Sequence, residues 1–202
     1  MVNLTGPLPD NGVFSNGKTL SNRIDDGEFT NFASVCGCII KILDALKPIH
    51  EKGFLHLGIS PDTVRFSDTG TVWLTGHTDA FRIGGDFQSR TPPFWPGYSA
   101  GELIRNPNTK PLPLHYATDL YSIAAIFFRL LVGRAPKEGD WSNFRQWRIT
   151  NQTGYLKGAS NLFAETMYVF LRKSLSLTAA RRFSDAGEMR KELETLRRQG
   201  PK

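Results

Sequence analysis

The run His56-Leu57-Gly58-Ile59-Ser60-Pro61-Asp62-Thr63 lies between two readable patterns. Before it, Phe32, Val35, Ile39, Ile42, Leu46 and Ile49 recur at steps of three and four, which lays one apolar stripe along a helix. Pro48 falls inside that stripe and is expected to kink or loosen its last turn, and Gly53 supplies the stop. After it, Val64-Arg65-Phe66 and Val72-Trp73-Leu74 alternate about Ser67-Asp68-Thr69-Gly70, the pattern of two short strands joined as a hairpin. The octapeptide is therefore a loop carried from a long helix into a hairpin.

Farther out, residues 1–28 are rich in Gly, Pro, Asn and Asp and read as loop and short extended pieces. Residues 76–115 show no period, and so long an irregular segment inside a domain is a functional loop or inherits its shape from one. From Asp119 to Val132, residues such as Leu120, Ile123, Ile126, Phe127 and Leu130 leave almost no polar face, so this helix is predicted to be buried and central, with Gly133 ending it. Leu162, Phe163, Val169, Phe170 and Leu171 mark another helical segment. Met189, Leu193 and Leu196 mark the last one, behind Ser184 or Asp185 as a cap. The predicted fold class is mainly α: a helical bundle around a buried central helix, with a small β-hairpin.

With 202 residues the chain can enclose one sizeable core, and its longest apolar stretch, Leu120 to Val132, is too short for a membrane span and carries Arg129. Met1 to Pro7 has neither the basic nor the apolar part of a secretory signal. Cys36 and Cys38, the only cysteines, fall on different helix faces, which argues against a bridge or a metal site and fits a reducing, cytoplasmic setting. The charge is uneven: residues 134–202 hold 14 Lys/Arg against 7 Asp/Glu, whereas residues 1–133 hold 11 against 12. Such a third reads as a solvated basic helix surface before it reads as a site for an acidic partner.

Five stretches in order resemble the landmarks of protein kinases. His56 to Thr63 resembles the catalytic loop H-R-D-L-x-P-x-N. Gly76-His77-Thr78, twenty positions beyond His56, occupies the place of D-F-G. Gly97-Tyr98-Ser99-Ala100-Gly101-Glu102 resembles G-Y-x-A-P-E, with Gly101 departing from the proline. Thr118-Asp119-Leu120-Tyr121-Ser122 opens the apolar helix as T-D-x-Y-S does, and Arg182-Phe183 matches the family's late arginine. The resemblance covers roughly residues 20–198, and its Ile59-Ser60-Pro61-Asp62 version is similar to bacterial kinases of the eukaryotic type.

The resemblance implies a protein-kinase-like C-lobe with the N-lobe largely absent. Residues 1–28 would be a hinge, an N-lobe remnant or a lid, residues 29–198 the lobe, and residues 199–202 a tail. It also implies what is degenerate. Gly58 stands for the aspartate that orients the attacking hydroxyl, Ser60 for the catalytic-loop lysine, Thr63 for the asparagine on the second magnesium, and Gly76 for the aspartate that holds the bridging metal. No G-x-G-x-x-G loop or V-A-I-K strand precedes His56. No catalytic residue, metal ligand or cofactor is therefore expected, ATP is not expected to bind, and the chain is expected not to be an enzyme. The retained positions imply structural roles: Glu102 paired with Arg182, Asp119 capping backbone N–H groups of the catalytic loop, and His56 packed in the base of that loop. His50, His77 and His115 have no metal-ligand spacing and receive no role.

These readings lead to a catalytically inactive, pseudokinase-like binding or regulatory module that engages a protein partner or a second copy of itself. One alternative is a transferase with a rewired metal and nucleotide site, recruiting Asp62, Asp68 or Asp79. Another is a basic surface for nucleic acid or anionic surfaces, where Arg145, Trp147 and Tyr155 interleave. No nucleic-acid motif is present, so nucleic acid is not expected. Phe94, Trp95 and Tyr98 read as loop packing rather than a peptide ledge, and Phe66, Trp73 and Leu74 are expected to lack cover unless residues 1–28 fold back over them.

Overall fold

In a computed structural model that describes residues 17–76, 81–84, 92–104, 113–137, 140 and 153–201, the chain is mainly α-helical with two small antiparallel sheets. The described elements run β1 (Lys18–Thr19), α1 (Leu20–Asp25), α2 (Phe32–Glu51), β2 (Phe54–Leu55), β3 (Val64–Phe66), β4 (Val72–Leu74) and β5 (Phe81–Arg82). A 3-10 turn (Gly101–Leu103), α3 (Tyr116–Val132), α4 (Asn161–Ser174), a second 3-10 turn (Ala179–Arg181) and α5 (Ala186–Gln199) follow.

Helix α3 is the centre of the fold: all its residues except Tyr116 and Arg129 are buried. It ends where Gly133 turns left-handed, at φ 85°, and its N–H reaches the Arg129 carbonyl at 2.7 Å. Helix α2 starts with a reciprocal cap, in which Asn31 Oδ1 accepts from the Ser34 N–H at 2.8 Å and Ser34 Oγ accepts from the Asn31 N–H at 3.3 Å. Its stripe of Phe32, Val35, Ile39, Ile42 and Leu46 is fully buried against α3 and α5. Pro48 does not end the helix, which continues to Glu51 before Gly53 turns at φ 78°. Cys36 and Cys38 are both buried and free, and burial pushes each thiol up to about 12, so both stay protonated and unreactive.

The hairpin gains a third strand, giving the order β1–β3–β4, in which Thr19 pairs with Arg65 and Arg65 with Trp73. The expectation left this apolar face uncovered unless residues 1–28 folded back over it, and part of that segment does. Phe66 and Leu74 are buried and face the core, while Arg65 and Trp73 occupy the opposite face. The cover comes from residues 17–25: Leu20 is fully buried, the Arg23 guanidinium lies 4.2 Å over the Phe66 ring, and Gly17 packs so closely that a Cβ there would lie 2.6 Å from the Trp73 indole.

The C-terminal end of α5 closes the opposite side of the core. Gly200 packs on two fully or nearly buried rings, and a Cβ on it would stand 2.6 Å from Phe32 Cε1 and 3.1 Å from Phe163 Cζ. Gly200→Ala is therefore expected to destabilise the chain by about 1–3 kcal/mol through overpacking. Thermal melts of the variant and the parent check this, and equal melting temperatures would contradict the contact.

Candidate functional site

The loop from His56 to Thr63 hangs from the first turn of α3. The Asp119 carboxylate is fully buried; its Oδ1 accepts from the Leu57 N–H at 2.7 Å and its Oδ2 from the His56 N–H at 2.8 Å. Oδ2 also lies 2.8 Å from His50 Nε2, so the carboxylate fixes that ring nitrogen as the one carrying hydrogen. Leu57, at φ 59°, is the one positive-φ residue other than glycine among the described residues. That backbone costs a leucine about 1–2 kcal/mol, and Asp119 holds it in place. His56 is fully buried, and its Nδ1 accepts from the Gly58 N–H at 3.2 Å.

The four degenerate positions lie in and beside this loop. Gly58 is buried beneath the segment that starts at Pro92, and a Cβ there would meet Pro93 Cγ at 3.1 Å. Ser60 is fully buried, and its N–H donates to Thr63 Oγ1 at 2.8 Å. The Thr63 hydroxyl in turn donates to the Gly58 carbonyl at 2.8 Å, so it braces the loop from within. Gly76 follows β4 at φ 83°, a conformation that any other side chain would strain. The magnesium–nucleotide group of the family needs oxygen ligands from side chains here. Of the two positions that stand for its metal ligands, Gly76 has no side chain and Thr63 turns its hydroxyl inward to the Gly58 carbonyl, so these residues do not fit that group. Among the described residues no cluster of three or more His, Cys, Asp or Glu side chains is placed to hold a metal ion.

Glu102 and Arg182, 80 residues apart, meet in a two-pronged pair: Nη1 to Oε1 at 2.6 Å and Nη2 to Oε2 at 2.9 Å, with both side chains almost fully buried. Burial works against the Glu102 charge, but the bonds from Arg182, its charge and the Thr118 hydroxyl outweigh it and hold the carboxyl below the usual carboxylate range. Arg182 also donates to the carbonyls of Ser176, Ala117 and Leu177 and lies 4.9 Å over the Tyr121 ring. The pair thus ties the 92–104 segment to α3 and to the turn after α4. In the same segment Tyr98 is buried with its hydroxyl accepting from Arg129 Nη1 at 2.9 Å, and Ser99 Oγ accepts from the Trp95 N–H at 2.8 Å. Phe94 and Ile104 are exposed at its two ends. Gly101 opens the 3-10 turn, and a Cβ on it would touch nothing. Gly101→Pro is expected to raise stability by about 0.4–1 kcal/mol by restricting the unfolded chain, and a lowered urea midpoint would contradict it.

Sequence reasoning gave His50 no role, yet His50 is the third donor on Asp119, and its carbonyl accepts from the Tyr116 hydroxyl at 3.0 Å. The available signal was its spacing: His50 follows Leu46 by four, which sets a polar ring on the buried stripe of α2. Asp62 is exposed at the edge of the loop and Asp68 at the hairpin tip, so the structure does not bring them together. Asp79, Arg145 and Trp147 lie outside the described residues, as do His77 and Thr78. Part of the basic C-terminal third is neutralised within the chain: Lys173 pairs with Glu188 and Glu192, and Arg190 with Asp44 and Glu194.

No family model matches the chain. Individual proteins do. Serine/threonine-protein kinase PknK of Mycobacterium bovis is 31% identical over 118 residues, which is 56% of this chain and 10% of that protein. A protein named probable serine/threonine-protein kinase PknB, from Lactococcus lactis, is 28% identical over 129 residues, 63% of this chain and 20% of that protein. A probable serine/threonine-protein kinase of Corynebacterium efficiens is 23% identical over 180 residues, covering 86% of this chain and 27% of the relative. The chain thus spans between a tenth and about a quarter of the length of these relatives. They correct one expectation. The degenerate loop led to a prediction that the chain is not an enzyme, whereas the relatives are named serine/threonine-protein kinases, which are enzymes, so the altered positions do not show inactivity. Kinase landmarks in family order, a helical lobe around a buried central helix and these bacterial relatives together make the chain kinase-like.

Proposed function

We propose that the chain is a kinase-like regulatory module that engages a protein partner through the segment from Pro92 to Ile104, in a cytoplasmic setting. Residues 29–198 form the working lobe in this reading, and residues 1–28 its cover. The observation that carries it is the contrast within that segment. Its middle is fixed by Tyr98–Arg129 and Glu102–Arg182, while Phe94 and Ile104 present apolar side chains to solvent at its two ends. A surface held rigid and tipped with apolar anchors suits docking, because little freedom is lost on binding. Among the described residues no helix is long and apolar enough to cross a membrane.

Site-specific photo-crosslinking in the source cells tests this, with a benzophenone amino acid at position 94, at position 104 or, as a control, at the exposed Lys47 on α2. A discrete protein adduct from 94 and 104 and none from 47 is expected. No adduct, or the same adducts from all three sites, would remove this segment as the docking surface.

A second reading, phosphoryl transfer with differently placed carboxylates, draws support from the kinase relatives. Asp62 is its described candidate, being exposed and next to the loop's Pro61. Transfer of radiolabelled phosphate from ATP, lost in Asp62→Asn, would favour it. Transfer unaffected by that change would exclude Asp62, and no transfer would leave the docking reading alone.

A further inference from the structure

Helix α4 carries a face that the core does not use. Phe163, Met167, Phe170 and Leu171 are buried, while on the other side Leu162 is 79% exposed and Val169 52%. Leu162, Glu165, Val169 and Arg172 follow one another at steps of three, four and three, so they form one strip along a helix about 21 Å long. Leu177, 64% exposed, lies just beyond the end of α4. The charges on the strip differ from their neighbours. Lys173 pairs with α5, whereas Glu165 and Arg172 form no ion pair among the described residues and, at seven apart, are two turns from each other.

We infer that this strip is the contact between two copies of the chain. The order Leu162, Glu165, Val169, Arg172, Leu177 is self-complementary when read in opposite directions. With a two-fold axis beside Val169, the two Val169 side chains meet, and Glu165 of each copy faces Arg172 of the other. Leu162 then faces the other copy's Leu177. A two-fold contact requires such a pattern, in which each residue meets a complement from the same list. Any other occupant would have to match both the unpaired acid and the unpaired base. The three apolar side chains supply only part of the about 800 Å² per partner of a stable complex, so the dimer is weak. This inference rests on α4 alone and is independent of the docking segment proposed above.

Sedimentation velocity on the full chain across a micromolar concentration series is the test. The parent is expected to dimerise. Val169→Glu is expected to abolish the dimer, and Glu165→Arg and Arg172→Glu each to weaken it about tenfold or more, since each sets like charges face to face. These residues are exposed, so circular dichroism should show unchanged folds. The decisive arm mixes Glu165→Arg with Arg172→Glu chains, which should form a heterodimer tighter than either variant's pairing with itself. A parent that stays monomeric throughout, or variants that associate as the parent does, would overturn the proposal.

Discussion

Arg182→Ala should lower the stability of the chain by about 3–5 kcal/mol, because it leaves the Glu102 carboxylate buried without its counter-charge. The loss goes beyond one ion pair: the Ser176 and Ala117 carbonyls lose a donor in the same step. Arg182→Lys should recover only part of it, since an ammonium does not reproduce the two parallel bonds. Glu102→Ala should cost a similar amount, and the double variant less than the sum of the singles. Urea unfolding at constant m-value checks all four, and single variants that unfold with the parent would refute the coupling. Acid supplies a further readout. The carboxyl of Glu102 is held lower in the folded chain than in the unfolded one. Its contribution is therefore complete above the unfolded value of about 4.3 and disappears as pH falls through the folded value. Glu102→Gln should flatten the stability profile in that acid window and leave its shape at neutral pH unchanged.

Asp119→Ala is expected to be as damaging, again by about 3–5 kcal/mol. It removes the acceptor from two buried N–H groups, those of His56 and Leu57, at about 1–3 kcal/mol each, and from the His50 ring. It also releases Leu57 from its left-handed backbone, so the loop should relax away from its native path. Hydrogen exchange separates this from general loosening: the amides of residues 56–60 should lose protection before those of α3. Asp119→Asn keeps one oxygen and should fall between the parent and the alanine variant. Parent-like stability in Asp119→Ala would mean that the loop is held by something else.

Both sites join residues that are distant in sequence, and that distance governs how much of the molecule could be read from its residues. Helix α3 was legible because every face of it is apolar, and α2 because its stripe keeps a helical period over five turns. The hairpin was legible from the Ser67-Asp68-Thr69-Gly70 turn between alternating strands. The short elements were not. α1 is six residues long, too short to show a period, and β1, β2 and β5 are two residues each, defined only by pairing with β3 or with each other. The burial of Phe66 and Leu74 was legible only as a condition, a fold-back of residues 1–28, because the strand and short helix at residues 18–25 that supply the cover show no period of their own. Within the site, family landmarks gave the positions of Asp119, Glu102 and Arg182. His50 carried no landmark of its own, and its bond to Asp119 spans 69 residues.

The packing of α5 on α2 has a consequence for synthesis in the cell. The apolar stripe of α2 is made before Met189, Leu193 and Leu196 of α5, which join it in one core. Roughly 135 residues separate the two helices, which at about 5–20 residues per second is a wait of about 7–27 s. During that interval Phe32, Val35 and Ile39 lack part of their burial, so the nascent chain presents a greasy helix to its surroundings. Chaperone occupancy measured by ribosome profiling should therefore rise once α2 emerges and fall only after α5 does.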